Sequence, residues 1–208
     1  MTGRLSLWLN AILHPKETFA AEKANANWKS ALINIGLLPI VFSLLFAILI
    51  VFFAELISSS ILSLLGLSNE AYAQALALII QIGGIVLIVA LPILIAILVW
   101  LDTLIYAGIV LLFSKLLGGT GTAVQQYYLM SLYYPALFVI GIILSFVPSI
   151  SGFPLGGILS FAIGSYFLIL MLKECHSLTT RKAVIAWLPF LAYFLFTIIS
   201  QSQGINPV

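Results

Sequence analysis

One carboxylate stands inside the longest apolar stretch of the chain. Asp102 lies within residues 76–117, a run that is otherwise almost continuous hydrocarbon side chains. A charged group at the centre of a bilayer costs about 3 kcal/mol on insertion scales. Counted from Lys115 at the end of the run, Asp102 is about 20 Å in, past the bilayer middle. All eight Lys and Arg lie outside the apolar centres of such runs, so no cation of this chain pairs with it at that depth. The carboxyl group must then be protonated, hydrated in a cavity, or hydrogen-bonded by neutral groups. Such groups are present: Tyr127, Ser131 and Tyr134 recur at i, i+4, i+7, one stripe of a helix, and Tyr106 is one turn from Asp102. Asp102, Tyr106, Tyr127, Ser131 and Tyr134 therefore form a candidate intramembrane polar site. It reads either as a site for a proton, an ion or a polar ligand, or as a structural hydrogen bond pinning two helices.

Other residue types capable of chemistry are sparse. Cys175 and His176 are adjacent, with no second pair at ligand spacing, so neither a metal nor a cofactor is expected. Gly118-Gly119-Thr120-Gly121 lacks the Lys-Ser/Thr ending of a phosphate loop and reads as a turn. No HExxH or GxSxG nucleophile pattern occurs, and the chain is not expected to be an enzyme. Gly156, Ser160 and Gly164 repeat every four residues, a spacing that lets helices approach closely. They are candidate helix-packing residues, for a dimer interface or for contact within one subunit. Glu55 reads as a solvated carboxylate at an outer membrane surface or an outer-mouth site. Gln81 could satisfy backbone freed at a bend, and Gln125 and Gln126 follow the glycine turn at the inner interface.

The elements that must carry these residues are membrane spans. Of 208 residues, 63% are hydrophobic and 7% charged, with a mean hydropathy of +1.25. Soluble domains carry about 25% charged residues, so this is an integral membrane protein. Its apolar runs are unbroken rather than alternating, so the spans are helices and the fold is an all-α, polytopic helix bundle. The net charge of +2 is too small to suggest nucleic acid. The single cysteine excludes an intrachain disulfide.

Leu5, Trp8, Leu9, Ile12 and Leu13 fall on one helical face, which predicts an interfacial amphipathic helix; a signal peptide is the competing reading. His14-Pro15 ends that helix, and Pro15 can open the next. Spans are expected over 31–57, within 76–117, over 123–147, 155–172 and 183–200. Ser58-Ser59-Ser60 with 66–69, the turn 148–154 and the segment 173–182 read as loops. About 63 Å of helix across 76–117 exceeds a hydrocarbon core of about 30 Å. It is therefore one span with an extension or two spans, with bends predicted at Gly83-Gly84 and Pro92 and a re-entrant bend as an alternative. Basic residues decide the number. With five spans all eight fall on one side; with six they divide four against four. The positive-inside rule then predicts five spans in the cell membrane, the N-terminus cytoplasmic and the C-terminus outside. The domain reading is a cytoplasmic interfacial segment (1–30), a five-span membrane domain (31–203) and a short external tail (204–208).

Four stretches resemble the Yip1-domain family of membrane proteins: Leu13-His14-Pro15-Lys16-Glu17-Thr18-Phe19; Gly118-Gly119-Thr120-Gly121-Thr122; Gln125-Gln126-Tyr127-Tyr128 with Tyr134-Pro135; and Leu172-Lys173-Glu174-Cys175-His176-Ser177-Leu178. The resemblance covers essentially the whole chain and implies five spans with the N-terminus inside. Eukaryotic members act in vesicle traffic with prenylated Rab-type GTPases through a long soluble N-terminal region. With about 30 residues before the first span, the chain is similar to the short prokaryotic-type members. The expected role is membrane organisation or protein interaction, with the bilayer, other membrane proteins or a second copy as partners and a GTPase implied only by the resemblance. A small transporter or channel using Asp102 is the alternative.

Overall fold

The computed structural model describes residues 3–64, 70–148 and 154–202. The predicted loop 66–69, the centre of the turn 148–154, the tail 204–208 and the side chain of Glu55 lie outside the described residues. What is described is helical, with no strand among the described residues. The helices are α1 (Arg4–Leu13), α2 (Pro15–Glu22), α3 (Trp28–Phe52), α4 (Ala54–Leu64), α5 (Glu70–Leu116), α6 (Ala123–Ser145), α7 (Leu155–His176) and α8 (Thr180–Ser202). Five segments are long and apolar enough to cross a membrane: Trp28–Phe52, Val86–Leu116, Ala123–Ser145, Leu155–His176 and Thr180–Ser200. The protein is an all-α, multi-pass membrane bundle. The chain divides into two compact units, residues 1–35 with 102–208, and residues 36–101.

In the first unit, α6 and α7 make the most extensive contact; α1 packs on α6, and α2 and α8 pack on α7. Gly156, Ser160 and Gly164 all face α6. A Cβ on Gly156 would strike the Leu144 carbonyl, the Ser160 hydroxyl sits over Gly141, and Gly164 lies against Leu137. The small-residue stripe thus lies against α6 of the same chain. Thr122 caps α6 with a reciprocal pair: its hydroxyl accepts from the Gln125 backbone N–H, and the Gln125 side chain accepts from the Thr122 backbone N–H. Gln125 is thus a capping residue.

Helix α1 forms where expected, but its apolar face divides. Trp8 and Ala11 are buried, whereas Leu5, Leu9 and Leu13 are 72%, 61% and 67% exposed. Trp8 therefore turns inward, away from the lipid-facing row predicted for it. His14 ends α1 and Pro15 opens α2 at its first turn, where a missing N–H costs nothing.

In the second unit, glycines let α3 and α5 meet closely. The Trp100 indole lies over Gly36, and a Cβ on Gly84 would strike the Val51 side chain. Three expectations are corrected here. Helix α5 runs unbroken over 47 residues through Gly83, Gly84 and Pro92, so there is no re-entrant bend; Gly84 is used for close contact. Gln81 is exposed on that continuous helix, with no freed backbone at its position to satisfy. The Ser58-Ser59-Ser60 loop is helical, within α4. The hydroxyls of Ser59 and Ser60 bond back to the Leu56 carbonyl, the local pairing that lets serine sit inside a helix.

Candidate functional site

Asp102 opens the part of α5 that belongs to the first unit. It lines two cavities, of about 240 Å³ and about 560 Å³. Tyr106 and Phe161 line both as well. The smaller cavity also takes in Thr103, Tyr134 and Ser165. The larger is walled by Phe190, Tyr193 and Phe194 from α8. These walls are held by ring packing. Tyr106 meets Phe190 at 4.2 Å between centroids, and Phe161 stacks on Phe194 at 3.9 Å with planes 3° apart. Trp187 donates to the Ser165 hydroxyl at 3.0 Å, fixing α8 against α7.

The sequence-derived site is brought together in part. Asp102, Tyr106 and Tyr134 share one cavity. Tyr127 does not line that cavity: its hydroxyl pairs with Thr103, which does, at 3.1 Å, and its ring packs on Trp28 at 5.1 Å. Ser131 is also engaged elsewhere, accepting from Asn34 at 3.2 Å and donating to the Tyr128 carbonyl at 2.6 Å. A shared helical stripe fixes which residues point the same way, but competing partners decide what they touch. Asn34 carried a usable signal, as an amide inside an apolar run of the first span.

A second polar cluster, which the sequence reading placed in a loop, lies where α7 meets the glycine turn. Helix α7 continues through Cys175 and ends at His176, and both side chains are buried. Loop assignment failed because Lys173, Glu174 and His176 look polar in sequence, while the helix runs on through them and buries His176 beside Cys175. Gln126, expected at the interface, is buried with them. Its amide nitrogen donates to the Ala107 carbonyl at 2.6 Å, so its oxygen faces His176 Nε2 at 2.7 Å. A carbonyl cannot donate, so Ala107 fixes the amide orientation, and the amide oxygen then requires the proton on Nε2. His176 Nδ1 and the Ser114 hydroxyl have no partner among the described residues.

The glycine turn closes over this cluster. A Cβ on Gly119 would lie 2.9 Å from His176 Nδ1 and 2.7 Å from the Ser114 carbonyl, and one on Gly121 would lie 2.7 Å from Cys175 Sγ. The Thr120 backbone donates to the His176 carbonyl at 3.1 Å. Lys182 reaches the Leu117 carbonyl at 2.8 Å. The N-terminal segment is tied in as well. Tyr128 donates to Glu22 at 2.8 Å, Lys23 donates to the Glu174 carbonyl at 3.1 Å, and Phe19 meets Tyr133 edge-on at 6.0 Å. No group of three or more His, Cys, Asp or Glu placed to hold a metal occurs among the described residues.

The stretches singled out by family resemblance thus converge on one tie between helix ends. Comparison with curated proteins and with solved structures gives no match. The sequence profile of the Yip1 domain matches residues 9–200, taking in the second half of α1, the glycine turn and the buried end of α7. By that match, and by five helices fit to cross a membrane, the chain belongs to the Yip1 domain family of membrane proteins.

Proposed function

We propose that this protein is a non-enzymatic membrane-organising protein of the trafficking type, acting through an interfacial helix fastened to its bundle. The observation that carries this reading is the division of α1. One edge is docked by Trp8 and Ala11, and the other presents Leu5, Leu9 and Leu13 outward. A helix docked this way holds an apolar row at a fixed height against the bundle. Burying each leucine in the acyl boundary contributes about 1.5–3 kcal/mol, enough for three to press the helix into the headgroup region. Five spans with all eight basic residues on one side support a cytoplasmic N-terminus and an external C-terminus in the cell membrane. In this reading residues 1–30 form the cytoplasmic working surface, and its partners are lipid, other membrane proteins or a second copy of the chain.

The test is the triple variant Leu5→Ser, Leu9→Ser, Leu13→Ser in proteoliposomes. Exposed positions of this kind shift stability by no more than about 0.5 kcal/mol each, so the purified variant keeps its melting temperature. The wild type is expected to change vesicle size or shape and to cross-link to itself or to co-purifying membrane proteins, and the variant to lose both. Equal vesicle remodelling and equal cross-linking by the two proteins would sink the proposal.

A further inference from the structure

We propose that the groove around Asp102 binds an amphiphilic organic cation, an ammonium group carried on an apolar body and taken up from the surrounding membrane. This goes beyond the role proposed for α1 and does not depend on it. Among the described residues the Asp102 carboxylate makes no hydrogen bond and no ion pair. The nearest cation along its own helix, Lys115, is 13 positions away, about 20 Å. The groove therefore presents a carboxyl group that no cationic side chain of the described residues pairs with.

Its walls favour one kind of cation. Tyr106, Phe161, Phe190, Tyr193 and Phe194 surround the larger cavity with ring faces and edges, and aromatic faces attract ammonium and other weakly hydrated cations. A bare metal ion is poorly served, since hard cations take six or more oxygen ligands. The two cavities offer one carboxylate and a few scattered hydroxyls. The larger cavity, about 560 Å³, falls in the range of small-molecule pockets, and the smaller, about 240 Å³, is sized for a headgroup. The two meet at Asp102, so a headgroup can rest beside the carboxylate with its apolar body in the larger cavity. Asp102 is exposed at the surface of the unit, and Ile105 and Tyr193 at the lip are 65% and 71% exposed. The route of entry is therefore sideways from the bilayer, and the apolar walls make the groove a place of residence more than a passage for polar solutes.

The experiment uses the full chain in nanodiscs of zwitterionic lipid, with radiolabelled dodecyltrimethylammonium as probe. The competitor is its neutral isostere, in which carbon replaces nitrogen. The expected result is saturable binding of one probe per chain that the isostere does not displace. Asp102→Asn is expected to weaken binding about tenfold or more, and Asp102→Glu to keep it within about threefold, as a charge pair in a partly desolvated groove requires. Phe190→Leu, which leaves the carboxylate in place, is expected to weaken it several-fold. Should Asp102→Asn fail to fold, the Glu and Leu variants and the isostere decide the matter. Displacement by the neutral isostere, undiminished binding to Asp102→Asn or Phe190→Leu, or absence of a saturable component overturns the proposal. The α1 triple variant is expected to bind the probe as the wild type does, which separates the two readings.

Discussion

Replacing Gln126 by leucine tests the buried tie between α5, α6 and α7. The substitution removes two hydrogen bonds, to the Ala107 carbonyl at 2.6 Å and to His176 Nε2 at 2.7 Å. Ala107 lies inside α5, so its carbonyl keeps an intrahelical partner and its loss amounts to about 1 kcal/mol. The imidazole N–H is in a different position. His176 is fully buried, and its other nitrogen already has no partner among the described residues. Leaving that N–H unpaired costs about 1–3 kcal/mol. Gln126→Leu is therefore expected to destabilise the protein by about 2–4 kcal/mol. His176→Leu alone strands one amide oxygen and is expected to cost about 1–3 kcal/mol. The double variant replaces both partners with apolar groups, so it should be more stable than the sum of the two losses by about 1–2 kcal/mol. Unfolding by sodium dodecyl sulfate in mixed micelles, followed by helix signal, measures all three. Single-variant losses that add to within about 0.5 kcal/mol in the double variant would refute the coupling.

Two further substitutions examine packing and backbone. Gly156→Ala drives a methyl group into the Leu144 carbonyl and is expected to cost about 1–3 kcal/mol, whereas Gly157→Ala meets only Pro154 carbons at 3.7 Å or more and is expected to be neutral or slightly stabilising; the same micelle titration compares them. Ser177 ends α7 with φ of 56°, a left-handed conformation that glycine adopts without strain, so Ser177→Gly is expected to raise stability by about 1 kcal/mol, read as a higher melting temperature.

The membrane spans were legible because length and apolarity alone define them, and no tertiary contact can hide thirty ångströms of hydrocarbon side chains. The number of crossings followed from where eight cations fall. Ser58 to Ser60 misled because a serine hydroxyl has two equally good local uses, in a turn or bonded back along a helix, and only the structure shows that Leu56 supplies the acceptor. At Asp102 the sequence placed the right elements together, since Tyr106 and Tyr134 line its cavity. It missed that Tyr127 and Ser131 are held by Thr103 and Asn34, because a helical stripe carries no information about the rotation of the facing helix. The Thr122–Gln125 spacing is a capping signature and could have moved Gln125 from the membrane interface to a helix start. Nothing comparable announced Gln126 and His176, fifty residues apart, as a buried pair.

The unbroken α5 has a consequence for which bilayers suit this protein. A largely apolar helix of 47 residues is longer than the hydrocarbon core of an ordinary bilayer is thick. Ile79, Ile82 and Val86 are all more than 60% exposed on the protein itself, so lipid must come to them. Leaning of the helix, local thickening of acyl chains around it, or residence in thicker, sterol- or long-chain-rich membrane satisfies that demand. A helix of this length is expected to fit thicker bilayers with less tilt than thinner ones.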